Sequence, residues 1–475
     1  MHNFSVGEVF HNILEKILRI DQEIVRGQMS ISAKNDILVM RVIESVIQAA
    51  IDAGSQIRKG LTKRSLTIWT GWQFEPIDDE QLRDFLTEAA TKAGIPEEEA
   101  SISILRDKLV RQLRDYRFDL VSNVNDTTRF EKEIIGFKNA YVIIDASGQV
   151  MVESPTPELM PTATILSEYD ETAASPMFDK FIEMAVPNPD TRKALFEYLA
   201  CVLIPFGHLM EPNLQKCAMI VGPRDSGKSV LVHLLEALLG GQQAIRRNLS
   251  ALTNPDTFKL SALENVLLCV CNDTDNRIRN KEIFKSLVSG EGAEADVKYS
   301  QEIQLNHYAK FLIVGNSFPQ MISKDPAFYK RILPIPFFES VSSDQQDPRL
   351  AQKIIESELP GIANHIVSGM CRLLHNGSYT ISDEMSMTLR AYELEAFHVE
   401  EFLGSEGYHI VTKGGTELNA LYQGYLSFCQ GLQYSDILTS KLFSIALKNL
   451  GYQCYTPRGI KAFHISNNTE HEKKK

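Results

Sequence analysis

Eight consecutive residues constrain this chain more than any others. Gly222, Pro223, Arg224, Asp225, Ser226, Gly227, Lys228 and Ser229 match the phosphate-loop pattern G-x-x-x-x-G-K-[ST] at every fixed position. The apolar run Ala218–Val221 before them predicts a buried strand. The run Val230 to Leu239 after them predicts a helix, closed by Gly240 and Gly241. Strand, glycine loop and helix together make a phosphate site, because the loop amides and the helix N-terminus point at one anion. On this reading all eight residues bind nucleotide, Lys228 reaches the β- and γ-phosphates, and the Ser229 hydroxyl is a Mg²⁺ ligand.

A chain of 475 residues is too long for one ordinary domain. With 44% hydrophobic and 23% charged residues it has the composition of a soluble globular protein. No apolar run approaches the roughly 20 residues that span a bilayer, and the first residues lack the basic-then-apolar pattern of a secretory signal. The expectation is a cytoplasmic protein with no membrane partner. The seven cysteines are scattered and match no zinc spacing, so reduced, buried thiols are expected. A net charge of −12 does not advertise nucleic-acid binding, but where the charge lies matters more than its sum.

The first 150 residues read as an α+β region of unknown role. Helical stripes are expected at Phe10, Leu14, Ile17 and Leu18 and at Ile43, Val46, Ile47 and Ala50. A strand and turn follow over Leu66–Trp72, and a helix opens at Asp78. Trp69, Trp72 and Phe74 read as a small core rather than a stacking surface. Residues 151–213 begin with a proline-bearing linker and become helical. The α/β core is expected over 214–340, a helical segment over 341–395, a further domain over 396–466 and a polar, disordered tail over 467–475.

Three later features narrow the class of phosphate-loop protein. Val266–Asp273 is an apolar strand ending in an acid, as needed to hold Mg²⁺ directly or through water; Asp275 is the alternative acid. Phe311–Val314 is another buried strand, ending at the amide Asn316, placed to orient an attacking water. Lys330 and Arg331 stand directly before the apolar run Ile332–Phe337, and an arginine there is suited to act across a subunit boundary. Lys228, Asp273, Asn316 and Arg331 are thus the candidate catalytic set, with Ser229 and Asp273 as metal ligands and ATP with Mg²⁺ as substrate and cofactor.

With these motifs, residues 140–475 resemble the superfamily 3 helicases, a branch of the AAA+ ATPases, and within them the poxvirus- and phage-type primase-helicase family. The resemblance is carried by Gly222–Ser229, Asp273, Lys285–Glu291, Asp296–Tyr299, Asn316 and Arg331–Phe337. It implies an AAA+ core behind a helical, collar-like region and a hexameric ring that hydrolyses ATP at subunit interfaces and translocates on single-stranded DNA. It also places Lys298 and Tyr299 at the tip of a channel-facing hairpin. The family often carries two acids at the end of its second motif; here the pair is Asn272 and Asp273. A cationic tip with an aromatic neighbour suits a DNA backbone without sequence preference.

Residues 416–425 and 440–448 read as two helices, the first capped by Thr416. A basic hairpin with its turn at Pro457–Gly459 follows. This is a winged-helix-like pattern, with Lys441, Lys448, Arg458 and Lys461 as phosphate contacts. Residues 1–150 show no paired carboxylates on a strand, so no primase activity is expected, and a separate primase or other replication protein is a candidate partner. The main reading is an ATP-dependent DNA helicase of a phage, plasmid or mobile element, acting on single-stranded and forked DNA. The competing reading is a DNA-binding AAA+ ATPase with a regulatory, origin-binding or defence role and no unwinding. A small-molecule kinase fits poorly with Asn316, Arg331 and the C-terminal domain.

Overall fold

The computed structural model describes all residues except 1–3, 21–30, 61–64, 117–131, 210–211, 255–259, 273–277, 292, 296–302, 306–308, 320–325, 339–345, 395–398, 413, 433–436, 451 and 468–475. The chain is mixed α/β and forms two compact units, one of residues 1–170 with 203–208 and one of 171–202 with 209–475. Among the described residues no helix is long and apolar enough to cross a membrane.

The first unit opens with α1 (Val6–Lys16) and α2 (Ile31–Asp52). Ser5 and Glu8 form a reciprocal capping box at the start of α1. The expected α1 stripe is cut short, since the helix ends at Lys16 and Leu18 is exposed. A small antiparallel sheet follows, β1 (Ile57–Lys59), β2 (Leu66–Trp69) and β3 (Phe74–Pro76). Helices α3 (Asp79–Lys92), α4 (Glu97–Ala100) and α5 (Ser103–Asp115) complete the helical core, with Asp78 capping α3 through the amides of Glu80 and Gln81. A second sheet has the order β6–β5–β4–β7, from β4 (Lys132–Gly136), β5 (Tyr141–Asp145), β6 (Val150–Glu153) and β7 (Ala163–Thr164). Trp69 and Trp72 are buried, Trp69 stands edge-on to Tyr141, and the Tyr141 hydroxyl donates to the Trp72 carbonyl at 2.7 Å. These rings are core, as their apolar setting predicts.

The second unit is built on a five-stranded, wholly parallel sheet. Its strands are β8 (Cys217–Val221), β9 (Ala244–Arg247), β10 (Leu268–Asn272), β13 (Lys310–Gly315) and β14 (Ile332–Pro336), in the order β14–β8–β13–β10–β9. Every residue of β8, β13 and β14 is buried, as in a parallel sheet covered on both faces. Between β10 and β13 lies a hairpin, β11 (Ala293–Ala295) paired antiparallel with β12 (Ile303–Leu305).

Helix α6 (Pro176–Ala185) and helix α7 (Pro189–Val202) belong to this unit, so the segment read as a collar divides: 171–202 joins the sheet, and 203–208 the first unit. Helix α8 (Lys228–Leu239) follows the loop, then α9 (Leu249–Leu252), α10 (Lys281–Ser289), α11 (Pro326–Tyr329), α12 (Leu350–Ser357), α13 (Leu359–Asn376) and α14 (Asp383–Leu394). Helix α7 packs along α13, and α7 and α14 lie against β14. The buried Glu197 carboxylate of α7 is fully engaged, by Arg372 and by the amide and hydroxyl of Thr380. Burial of a carboxylate without such partners would be costly.

The C-terminal part contains α15 (Glu400–Ser405), β15 (His409–Ile410), β16 (Thr416–Glu417), α16 (Leu418–Gly431), α17 (Ser440–Asn449), β17 (Cys454–Tyr455), β18 (Ala462–Phe463) and β19 (Ile465–Ser466). It has its own core, with Phe402, Tyr425, Phe443 and Phe463 fully buried and Tyr425 stacked on Phe443 at 4.6 Å. Two helices, the β17–β18 hairpin and the third strand β16 are therefore one packed module. Thr416 is not a helix cap. It lies in β16 opposite Phe463 and donates its hydroxyl to the Ile465 carbonyl at 2.7 Å, while α16 starts without a side-chain cap. Asn467, expected to begin a disordered tail, is buried; residues 468–475 are outside the described set.

Candidate functional site

The site forms where β8, β13 and β10 end side by side. Val221 is paired with Gly315, and Val314 with Asn272, so Gly222, Asn316 and Asn272 emerge at one edge of the sheet. Ligands of open α/β sheets bind at this carboxyl edge.

The loop from Gly222 to Gly227 is held between fixed walls. The Gly222 amide donates to the Gly315 carbonyl at 3.3 Å. A Cβ at Gly222 would stand 2.2 Å from the Phe337 carbonyl oxygen, so only glycine lets the strand leave the sheet here. Gly227 has φ +89°, and a Cβ there would meet Phe181 of α6 at 2.4 Å. Asp225 is also left-handed, with φ 61°. The Ser226 hydroxyl donates to the Pro223 carbonyl at 2.9 Å, and α8 begins directly at Lys228.

The Lys228 ammonium sits within this curl. It donates to the carbonyls of Gly222 at 2.9 Å and Pro223 at 2.5 Å, to the Ser226 hydroxyl at 3.2 Å and to Asn316 Oδ1 at 3.4 Å. An ammonium has three N–H donors, and these four acceptors already exceed them. A phosphate oxygen entering the loop would compete with neutral carbonyls for those donors, and charge-assisted bonds are the stronger.

Beside Lys228 is a cavity of about 230 Å³ lined by Lys228, Ser229, Val232, Arg246, Asn272, Val314, Gly315 and Asn316. Two cations and no carboxylate are among these residues, which suits an anion. Two larger hollows, of about 410 and 520 Å³, lie in the first unit and carry none of the motif residues. Chemistry rather than size selects the smaller one.

Lys228, Ser229 and Asn316 thus share one cavity. Asp273 and Asp275 lie outside the described residues; Asn272, which ends β10, is exposed at the cavity. Ser229, the expected metal ligand, lines the cavity, and among the described residues no cluster of three or more His, Cys, Asp or Glu side chains forms a metal site. A loop-bound Mg²⁺ fits that composition, since magnesium usually keeps waters and takes only one or two protein ligands beside the phosphates.

Arg331 is elsewhere. It precedes β14, whose first residue Ile332 pairs with Cys217 at the start of β8. Crossing β8 to the loop spans about 15 Å at the strand rise per residue. Its guanidinium is half-buried and donates to the Ala327 carbonyl at 3.0 Å, while its Nε is buried without a partner among the described residues. The neighbouring Lys216 donates to the Lys330 carbonyl at 2.6 Å, and burial holds its ammonium below the usual lysine range.

Lys298 and Tyr299 lie in the segment joining β11 to β12, outside the described residues. Lys441 and Lys448 are exposed on α17, and Lys461 is half-exposed before β18. Arg458 is in the turn between β17 and β18, and its side chain is outside the described set. All seven cysteines are free; Cys217, Cys269 and Cys271 are buried in the sheet, and desolvation pushes the Cys217 thiol far above the usual range.

Sequence reading missed Arg246. It extends from β9 into the cavity and is gripped by Glu236 of α8, with Nε–Oε1 at 2.5 Å and Nη2–Oε2 at 2.7 Å. The short run Ala244–Arg247 has no apolar pattern to mark it as a strand beside the site.

A family model described as a family of unknown function, DUF5906, matches residues 220–331, from the end of β8 to Arg331. Among solved structures the chain is similar to the A-form apo structure of the NrS-1 C-terminal region, at 13% identity and a TM-score of 0.42. That match covers 88% of this chain and 98% of the other. A second apo structure of the same region (305–718) aligns at 14% identity and a TM-score of 0.41, with the same coverage. Superposition this loose carries no weight for the site, which stands on its own loop and strands.

Proposed function

We propose that the chain is an ATP hydrolase of the AAA+ type that drives a DNA helicase. One observation carries the reading: Lys228 and Asn316 meet within hydrogen-bonding distance at the carboxyl ends of neighbouring parallel strands. The loop and the α8 N-terminus bind the phosphates. Lys228 offsets charge that develops as the terminal phosphoryl group leaves, and Asn316 orients the attacking water. A Mg²⁺ ion held by Ser229 and Asp273 would neutralise charge on the phosphate oxygens.

Arg331 cannot serve the nucleotide of its own chain, because the length of β8 separates them. A neighbouring copy presenting Arg331 would complete the site, which supports a ring, a hexamer by the family resemblance. In that ring the β11–β12 hairpin would carry Lys298 and Tyr299 to single-stranded DNA, and the C-terminal module would act as a winged helix on duplex or forked DNA.

The test is ATP hydrolysis with and without single-stranded DNA, together with strand displacement on a forked duplex. DNA-stimulated hydrolysis with unwinding is the expected result. Hydrolysis and DNA binding without unwinding would favour the regulatory ATPase instead, and no hydrolysis under any of these conditions would contradict both.

A further inference from the structure

The Arg246–Glu236 bridge beside the loop is more than a surface ornament. Both side chains are partly exposed, 45% for Arg246 and 26% for Glu236, and an ion pair at that exposure contributes little to stability. Its geometry is nevertheless bidentate, which fixes the plane and position of the guanidinium. Glu236 stands two helical turns beyond Ser229 on α8, on the same face, and Val232 lies between them on the cavity wall.

The position of the cavity matters. It lies on the β13–β10 side of Lys228, and none of residues 222–227 lines it. A diphosphate cradled by the loop would end at Lys228, and a third phosphate would reach toward the cavity, whose wall Arg246, Asn272 and Asn316 line. Glu236 uses Nε and Nη2 of Arg246 and leaves Nη1 outside the bridge.

We infer that Arg246 is the residue by which this site distinguishes a nucleoside triphosphate from a diphosphate, binding the terminal phosphate in exchange for Glu236. The inference rests on the ATPase reading of the loop. A terminal phosphate carries more charge than a carboxylate and matches the same guanidinium fork, so the exchange is favourable only when that phosphate is present. Glu236 is then a competitor that keeps Arg246 aligned beside the cavity.

The experiment measures affinity for fluorescent ADP and for a non-hydrolysable fluorescent ATP analogue in the full chain. Arg246→Gln should weaken the ATP analogue by about tenfold or more, the loss of one charged hydrogen-bond donor, and leave ADP unchanged. Arg246→Lys should fall between, since it keeps the charge without the fork. Glu236→Gln should act in the opposite direction and tighten the ATP analogue by a few fold. Thermal unfolding of each variant checks that the fold is retained. Equal losses for both nucleotides, or parallel losses in the Arg246 and Glu236 variants, would overturn the inference and make the bridge a brace between α8 and β9. Nucleotide binding that depends on Lys228 but is indifferent to Arg246 would overturn it alone. Absence of any nucleotide binding by the wild-type chain would overturn the ATPase reading with it.

Discussion

The two ends of the central sheet are opposites. At the carboxyl end, Lys228, Arg246, Ser229 and two asparagines converge on a cavity, and Ser229, Asn272 and Asn316 are exposed there. At the amino end, Lys216 and Arg331 are partly sunk among packed strands, and Arg331 Nε is buried with no hydrogen-bond partner among the described residues. On the proposed function, the carboxyl end holds the phosphates and lacks an arginine finger. The amino end has an arginine without a phosphate site. If the chain is the ATPase proposed above, one sheet carries the two halves of a catalytic centre at opposite ends, and a second copy of the chain would be needed to join them.

That contrast can be broken at several points. The largest effect is expected at the carboxyl end. Lys228→Ala removes the only ammonium inside the loop and should lower ATP turnover by on the order of 10²-fold or more, read in a steady-state phosphate-release assay. Near-normal turnover would end the account of the loop. Arg331→Ala should lower turnover by about 10²-fold, the cost of losing one transition-state donor, while nucleotide affinity stays close to wild type. A large loss of affinity together with unfolding would instead make Arg331 a packing residue.

Asn316→Ala sharpens the division of labour within the carboxyl end. Turnover should fall by about tenfold to a hundredfold, with ADP affinity little changed, because the amide acts on the reacting water rather than on the bound phosphates. Loss of ADP binding would show that its contact with Lys228 props the loop.

The proposed DNA contacts should change turnover least. Lys298→Ala should abolish strand displacement on a forked duplex and leave basal turnover within a few fold. Removing Lys461 by Lys461→Ala should weaken duplex binding mildly and lower its salt dependence by about one counterion, measured by fluorescence anisotropy across a salt series. Unchanged salt dependence would turn the C-terminal module toward protein docking.

The sequence displayed the carboxyl end well, because glycine turns and short apolar runs are local signals. Val221, Gly222, Lys228 and Asn316 could each be placed on a strand end or helix start from a window of about ten residues. Strand order could not be read that way. That β13 lies between β8 and β10 depends on pairings between distant segments, and this order is what brings Asn316 to Lys228. Arg246 was invisible for the same reason, on a four-residue strand with no apolar alternation. Thr416 misled because a threonine before a helix usually caps it; here its hydroxyl is taken by Ile465, some 50 residues on, and β16 joins the sheet instead. Leu18 extended a helical stripe in the sequence, but the helix stops at Lys16, where Ile17 takes an extended conformation.

The central claim is that the two ends of the sheet meet between subunits. The direct measurement mixes Lys228→Ala and Arg331→Ala chains, each inactive alone, and follows ATP turnover as the mixing ratio varies. Mixed rings contain interfaces with an intact loop from one chain and an intact arginine from the other. The account predicts turnover that appears on mixing and peaks near equal proportions. Turnover that stays at the level of the single variants at every ratio, in assemblies shown by light scattering to be mixed, would contradict it.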